Sequence, residues 1–263
     1  MGQTNRIAGW VAGVGIVLAT GVFLAGCEGT PNGGGGNGDD YNLVVVLEKN
    51  LDAGQDVIYV KFKRDDAGIA GAVVVIDGDT IATSSASGQG NKTYNTPRWD
   101  HGERIQVSAI DPVESFIYRD SVVMPDDFFI DNVVPANQIW RPVDGNAQVG
   151  WTTSIGAANY LTSVKARTTN TTSRGLAEYS EAQSGLSQEI LPSTFRDHFD
   201  NLVEDVYDLK IIAYSPNFIA RPNPPYKTPS GDDVRTPILR DNITGGIAAL
   251  VVCERDTLLV QTQ

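Results

Sequence analysis

The chain has 263 residues, 32 of them acidic and 20 basic, for a net charge of −12 at pH 7. An acidic surface of this size is repelled by phosphate backbones and anionic lipid headgroups, which argues against nucleic acid as a partner and against membrane contact through the folded surface. A hydrophobic fraction of 41% and an aromatic fraction of 8% exclude a disordered chain, and the length suits one or two domains, each with its own core.

Met1 to Arg6 is a short polar start with one positive charge, and from Ile7 to Gly26 no residue is charged. Val11, Val14, Val17, Leu18, Phe23 and Leu24 belong to the apolar body of that run. A charged start, an apolar core and small residues before a cut site describe a secretory signal. The run closes on Leu24-Ala25-Gly26-Cys27, which resembles the lipobox of bacterial lipoproteins. The resemblance implies a diacylglyceryl group on the Cys27 sulfur, cleavage after Gly26 and usually a third acyl chain on the new amino terminus. Each buried methylene contributes roughly 0.8 kcal/mol, so one chain holds a protein marginally and two or three hold it durably. The competing expectation is an uncleaved membrane helix, which needs about 20 apolar residues. Gly9, Gly13, Gly15, Gly21 and Gly26 within the run, and the cysteine at its edge, favour cleavage. Either way the folded part is exported. Glu28, following the cysteine, favours the outer membrane by resemblance if the host has two membranes.

Residues 27–40 contain Gly33 to Gly36 in a polar, glycine-rich setting. Such a stretch behaves as a flexible tether, because ordering glycine costs the most entropy and nothing here is available to bury in return. From Tyr41 the pattern changes to short runs rich in Val, Ile, Thr and aromatics. Leu43–Leu47, Val57–Phe62, Ala72–Ile76, Ile105–Ile110 and Phe116–Val123 read as strands. Asp77-Gly78 between apolar runs predicts a tight hairpin, and Ser84–Asn91, small and polar, predicts a loop. Evenly spaced short strands without helical periodicity argue a β-sandwich over 41–132. Gly71 to Gly78 resembles the core of immunoglobulin-like modules of bacterial surface proteins and, equally, carboxypeptidase-regulatory-like domains. A boundary is expected near Asn132, ahead of Pro135.

Over 133–263, Trp151 is expected on a strand, Tyr160 follows nine residues on, and Tyr207-Asp208-Leu209-Lys210-Ile211-Ile212-Ala213 comes late. This resembles fibronectin type III, with its buried Trp and its Tyr-x-Leu-x-Ile-x-Ala strand. By period two, Tyr207, Leu209, Ile211 and Ala213 share a face, and Trp151 has the size to fill the space between sheets. The tyrosine opening that strand is placed to bond back to the preceding corner. The chain departs from the pattern at 216–242, a long segment carrying Pro222, Pro224, Pro225, Pro229 and Pro237. Two expectations stand for it: a strap packed on its own sandwich, or a projecting loop that carries the partner surface. Ile247–Val252 then reads as a last strand, Glu254-Arg255-Asp256 as a turn, and Thr257–Val260 as an extra strand.

The sequence offers few residues suited to chemistry. If Cys27 carries lipid, no disulfide is expected, and Cys253, closing an apolar run, reads as a small buried hydrophobe. His101 and His198 have no spacing that brings them together as metal ligands. Asp126, Asp127 and Asp131, and Asp232-Asp233, are either calcium ligands or solvated turns. Trp99, Trp140, Tyr94 and Tyr226 are either a sugar-stacking surface or packing. No nucleophile elbow, Ser-x-x-Lys pair or phosphate loop is present. Paired carboxylates for glycoside hydrolysis meet only in the fold.

The resulting expectation is all-β: a signal peptide (1–26), a lipidated cysteine and tether (27–40), then immunoglobulin-like (41–132) and fibronectin type III-like (133–263) sandwiches in tandem. The protein is expected to be a lipid-anchored, non-enzymatic binding or structural module of the cell envelope, without cofactor or metal. Its expected contacts are the membrane through Cys27 and a protein or polysaccharide partner. The alternative is an envelope hydrolase or accessory enzyme with a carboxylate site.

Overall fold

Alternation of apolar and polar residues makes strands, and a computed structural model of the chain is built from them. It describes residues 41–168, 173–181, 185–215, 226–227, 233–234 and 243–262. The readings made at Cys27, on the tether and on most of 216–242 lie outside the described residues.

The first half holds β1 (Tyr41–Asn50), β2 (Gln55–Arg64), β3 (Ala67–Gly68), β4 (Val73–Ile76), β5 (Asp79–Ala82), β6 (Gln89–Tyr94), β7 (Arg104–Asp111) and β8 (Phe116–Val123). The second holds β9 (Ile130–Val134), β10 (Ile139–Trp140), β11 (Ala147–Trp151), β12 (Asn159–Ala166), β13 (Leu176–Glu181), β14 (Ser187–Ile190) and β15 (Val206–Tyr214). The short pair β16 (Tyr226–Lys227) and β17 (Asp233–Val234) precedes the 18-residue β18 (Ile243–Val260). Two 3-10 turns, Pro142–Asp144 and Pro192–Phe195, are the only helical elements among the described residues.

β18 is the spine. Its first part pairs in parallel with β1, from Tyr41↔Ile243 to Asn50↔Val252, and its later part pairs antiparallel with β15, from Tyr214↔Leu250 to Val206↔Leu259. The result is a nine-stranded sheet in the order β13-β12-β15-β18-β1-β2-β3, with β10 on β18 and β6 on β2. Asn132, where a boundary was expected, lies within β9, and the halves on either side share this sheet.

One face of the large sheet packs on two small ones. Leu43, Val45 and Phe62 share a core with Val74, Ile76 and Val107 of the sheet β5-β4-β7-β8. Tyr160, Tyr207 and Ile211 share it with Val149 and Trp151 of the sheet β14-β11-β9. Two facing sheets enclosing alternate side chains make a β-sandwich. The other face of the large sheet carries a second apolar cluster, in which Val44, Val46, Ile212, Tyr214, Leu250 and Val252 take part.

The expected hairpin is present: Asp77 and Gly78 take φ of 45° and 84°, the paired positive values of a turn that follows strand twist. Two expectations are corrected. The polar stretch 84–91 is a loop only as far as Gly88, and Gln89 opens β6. Its small residues reflect close approach, since a Cβ on Gly90 would sit 2.6 Å from the Ala82 carbonyl oxygen. The expected turn at 254–256 is absent, and β18 runs straight through with a register shift opposite Leu209 and Ile211. The charge that suggested a turn is met inside the sheet, where Glu254 pairs with Lys210 and its backbone N–H donates to Asp52.

A candidate partner groove between two sheet edges

The aromatic pattern of the second half builds a rigid wall. Trp151, 1% exposed, ends β11 and packs against Tyr160 of β12 with ring centroids 5.4 Å apart. The Tyr207 hydroxyl donates to the Val203 carbonyl at 3.1 Å, the bond back to the corner expected for a tyrosine opening that strand. Burial pushes its phenol pKa up, so the hydroxyl stays a donor. Phe195 of the 3-10 turn lies between Tyr207 and Trp140, at 5.1 and 4.6 Å.

At the rim of this wall the sandwich opens between two edge strands. β13 ends the large sheet and β14 ends the three-stranded one. A groove of about 390 Å³ lies there, with Arg174, Glu178, Gln188, Glu189, Leu191 and Ser193 in its lining. Gln188 Nε2 donates to Glu178 Oε2 at 3.0 Å and so bridges the edges. Asn146 Nδ2 donates to Glu189 Oε1 at 2.5 Å. The backbone N–H groups of Arg174 and Gly175 donate to the carbonyls of Arg196 and Thr194, tying the start of β13 to the 3-10 turn. Edge strands present unpaired backbone groups, and carboxylates beside a guanidinium suit a polar ligand with both donors and acceptors.

None of these groove residues stands out in the sequence, because Ser187-Gln188-Glu189-Ile190 is too short and polar to read as a strand. The residues that did stand out lie elsewhere. Cys27 is outside the described residues, and Cys253 is buried in the core. His101 and His198 occupy separate exposed turns. Asp127 pairs with Lys49 at 2.7 Å, while the Asp126 carbonyl accepts from Ser154 Oγ at 2.5 Å. Among the described residues no three His, Cys, Asp or Glu side chains are grouped to hold a metal ion.

Among the described residues, Trp99, Trp140 and Tyr94 do not form a sugar surface. Trp99 and Trp140 are 2% and 0% exposed, and Tyr94 packs edge-on to Trp99 at 6.1 Å. Lys92 and Arg98 lie over the Tyr94 ring, and Tyr94 donates to Asp79, holding that carboxyl below its usual range. The Tyr226 side chain lies outside the described residues. Asp56, 1% exposed, accepts the backbone N–H groups of Arg98 and Trp99 through Oδ2, and burial raises its pKa.

The class these observations define is an all-β sandwich protein with a buried tryptophan between its sheets and a tyrosine bonded back to the preceding corner. No family model matches the chain, and no curated protein matches it. Among solved structures, the chicken CNTN1 FN1-FN3 domains are similar at 10% identity and a TM-score of 0.26, over 67% of this chain and 61% of that one. The titin domains Z1Z2 in complex with telethonin are similar at 13% identity and a TM-score of 0.21, over 85% of this chain and 94% of that one. A chimeric titin Z1Z2 functionalized with a KLER exogenous peptide from decorin gives 13%, 0.23, 85% and 95% in the same terms. This chain thus spans less than two thirds of the CNTN1 structure. No helix among the described residues is long and apolar enough to cross a membrane.

Proposed function

We propose that the chain is an exported lipoprotein of the cell envelope, anchored through Cys27, whose two tandem sandwiches act as a non-enzymatic binding or structural module. The reading treats 41–132 as immunoglobulin-like and 133–263 as fibronectin type III-like, joined through β18. The observation that carries it is Leu24-Ala25-Gly26-Cys27 at the end of an uncharged run, followed by a glycine-rich leash that ends where β1 begins at Tyr41. The leash puts a rigid all-β body at a tether's reach from the membrane, where its surface meets protein or polysaccharide. The groove between β13 and β14 supplies the polar recognition surface.

Fractionation of the host tests the anchor. Wild-type protein sediments with membranes and is released by detergent, whereas Cys27→Ala accumulates with its signal uncleaved or wrongly cut. A Cys27→Ala protein processed and membrane-bound like the wild type contradicts the reading. Binding to insoluble envelope polysaccharide, reduced by Arg174→Glu without a change in the melting curve, assigns the groove. A second reading, a hydrolase, is favoured by one observation: Glu178 and Glu189 line the same groove. Release of reducing sugar from that polysaccharide, abolished by Glu178→Gln or Glu189→Gln, distinguishes it.

A further inference from the structure

Lysine is rarely buried, yet Lys49 is 7% exposed on the inner side of the large sheet. Leu43, Val45 and Leu47 of β1 point into the main core, and by period two Lys49 continues their row. Directly opposite it in the antiparallel register of β1 and β2 is the buried Asp56, which continues the row of Ile58, Val60 and Phe62. A third group reaches this corner from the segment between β8 and β9, where Asp127 Oδ1 lies 2.7 Å from Lys49 Nζ. Met124 and Phe128 of the same segment are buried in the core and hold Asp127 in place.

The two carboxyl groups are held differently. Asp56 Oδ2 accepts the backbone N–H groups of Arg98 and Trp99 at 2.5 and 3.2 Å, while its Oδ1 is buried and, among the described residues, has no hydrogen-bond partner. Burial raises the pKa of Asp56, and its carboxyl feels the charges of both Lys49 and Asp127, so a proton is at hand beside their pair. Asp127 is half-exposed and spends its charge on the amine.

We propose that Lys49 and Asp127 condense into an amide, with Asp56 as the proton carrier, and that this bond ties β1 covalently to the segment between β8 and β9. A proton first passes from the Lys49 ammonium to the Asp127 carboxylate, and the freed Nζ attacks the Asp127 carboxyl carbon. The new C–N bond forms and the C–OH bond breaks. Asp56 enters as the neutral acid, gives its proton to the departing hydroxyl and takes one back from the nitrogen. One water leaves, Asp56 ends as it began, and no oxidant or co-reactant is consumed. Free amines and carboxylates in water remain separate ions, but a pair held in contact gains an effective molarity of up to about 10⁵–10⁸ M. Burial pushes the same way, because a neutral amide escapes the desolvation cost that a buried ammonium carries. The exposed side of Asp127 gives the water a way out.

Peptide mapping of the full-length protein by mass spectrometry tests the bond. The expected result is a branched peptide that joins the stretches around Lys49 and Asp127, lighter by one water than its two parts, with trypsin unable to cut after Lys49. Lys49→Arg, which keeps the charge, is expected to return the two stretches as separate peptides at full mass. Asp56→Asn is expected to leave them unjoined in protein whose circular dichroism spectrum remains that of the wild type. Separate peptides from folded wild-type protein mean an ion pair only and overturn the proposal, and so does a water loss that maps to any other residue. A branched peptide that persists in Asp56→Asn overturns the role given to Asp56. The branch lies within the body, so its presence is read independently of whether Cys27 carries lipid.

Discussion

The two small sheets bring different side chains to the shared core. Around β4, β7 and β8 the small sheet contributes Val74, Ile76, Val107, Ala109 and Val122, a layer of mostly β-branched residues that pack wherever strands pair. Around β11, β12 and β15 the core is a chain of rings, Trp151 on Tyr160 and Phe195 between Trp140 and Tyr207, each with one place to sit. Aliphatic layers tolerate exchange because volume and pattern suffice, whereas large rings fix geometry through shape and through their polar tips. The region built on rings around β11, β12 and β15 is therefore expected to depend on single residues, and the layer of β4, β7 and β8 on their sum.

Truncating the rings is the largest expected effect. Trp151→Ala removes a fully buried indole and is expected to cost about 3–5 kcal/mol, a large share of the about 5–15 kcal/mol that a domain has. Urea melts of the soluble body measure it, and a neutral result contradicts the placement of Trp151 between sheets. In the first half, Ile76→Val is expected to cost only about 0.5–1.5 kcal/mol in the same assay. Tyr207→Phe keeps the ring and removes its bond to Val203, for about 1 kcal/mol. If Ile76→Val proves as damaging as Trp151→Ala, the contrast between the two regions fails.

The contrast also governs what the sequence discloses. Trp151, Tyr160 and Tyr207 were legible as a pattern because rings at fixed spacing are rare, and the structure puts all three in one core. The Asp77-Gly78 hairpin was legible because a backbone with two positive φ values admits few residues. What was not legible is non-local. The parallel pairing of Tyr41–Asn50 with Ile243–Val252 joins segments some 200 residues apart and leaves no local mark on either. The near-complete burial of β1, at Leu43 to Leu47, is its one trace: an unbroken apolar run belongs to a strand covered on both faces. Charge misled at Glu254, because a pair made with Lys210 across strands reads in sequence as a polar turn. The groove between β13 and β14 was not legible either, since Arg174 and Glu189 come to line one groove only through the fold.

A smaller effect tests the junction at β2. Burial raises the Asp56 pKa above its unfolded value, so the folded state takes up the proton first as pH falls. The unfavourable contribution of its charge is then fully present above the folded pKa and is relieved as pH drops toward the unfolded value, about 3.9. The wild type is expected to gain stability relative to Asp56→Asn over that window, read as a difference in urea midpoints between pH 7 and pH 4. A difference that moves the other way contradicts burial as the dominant influence on this carboxyl.

The intact mass of protein extracted from host membranes with detergent addresses the central reading most directly. The account predicts a chain that begins at Cys27 and carries the added mass of a diacylglyceryl group, with or without a further acyl chain. A chain that retains residues 1–26, or one that begins at an unmodified Cys27, contradicts it.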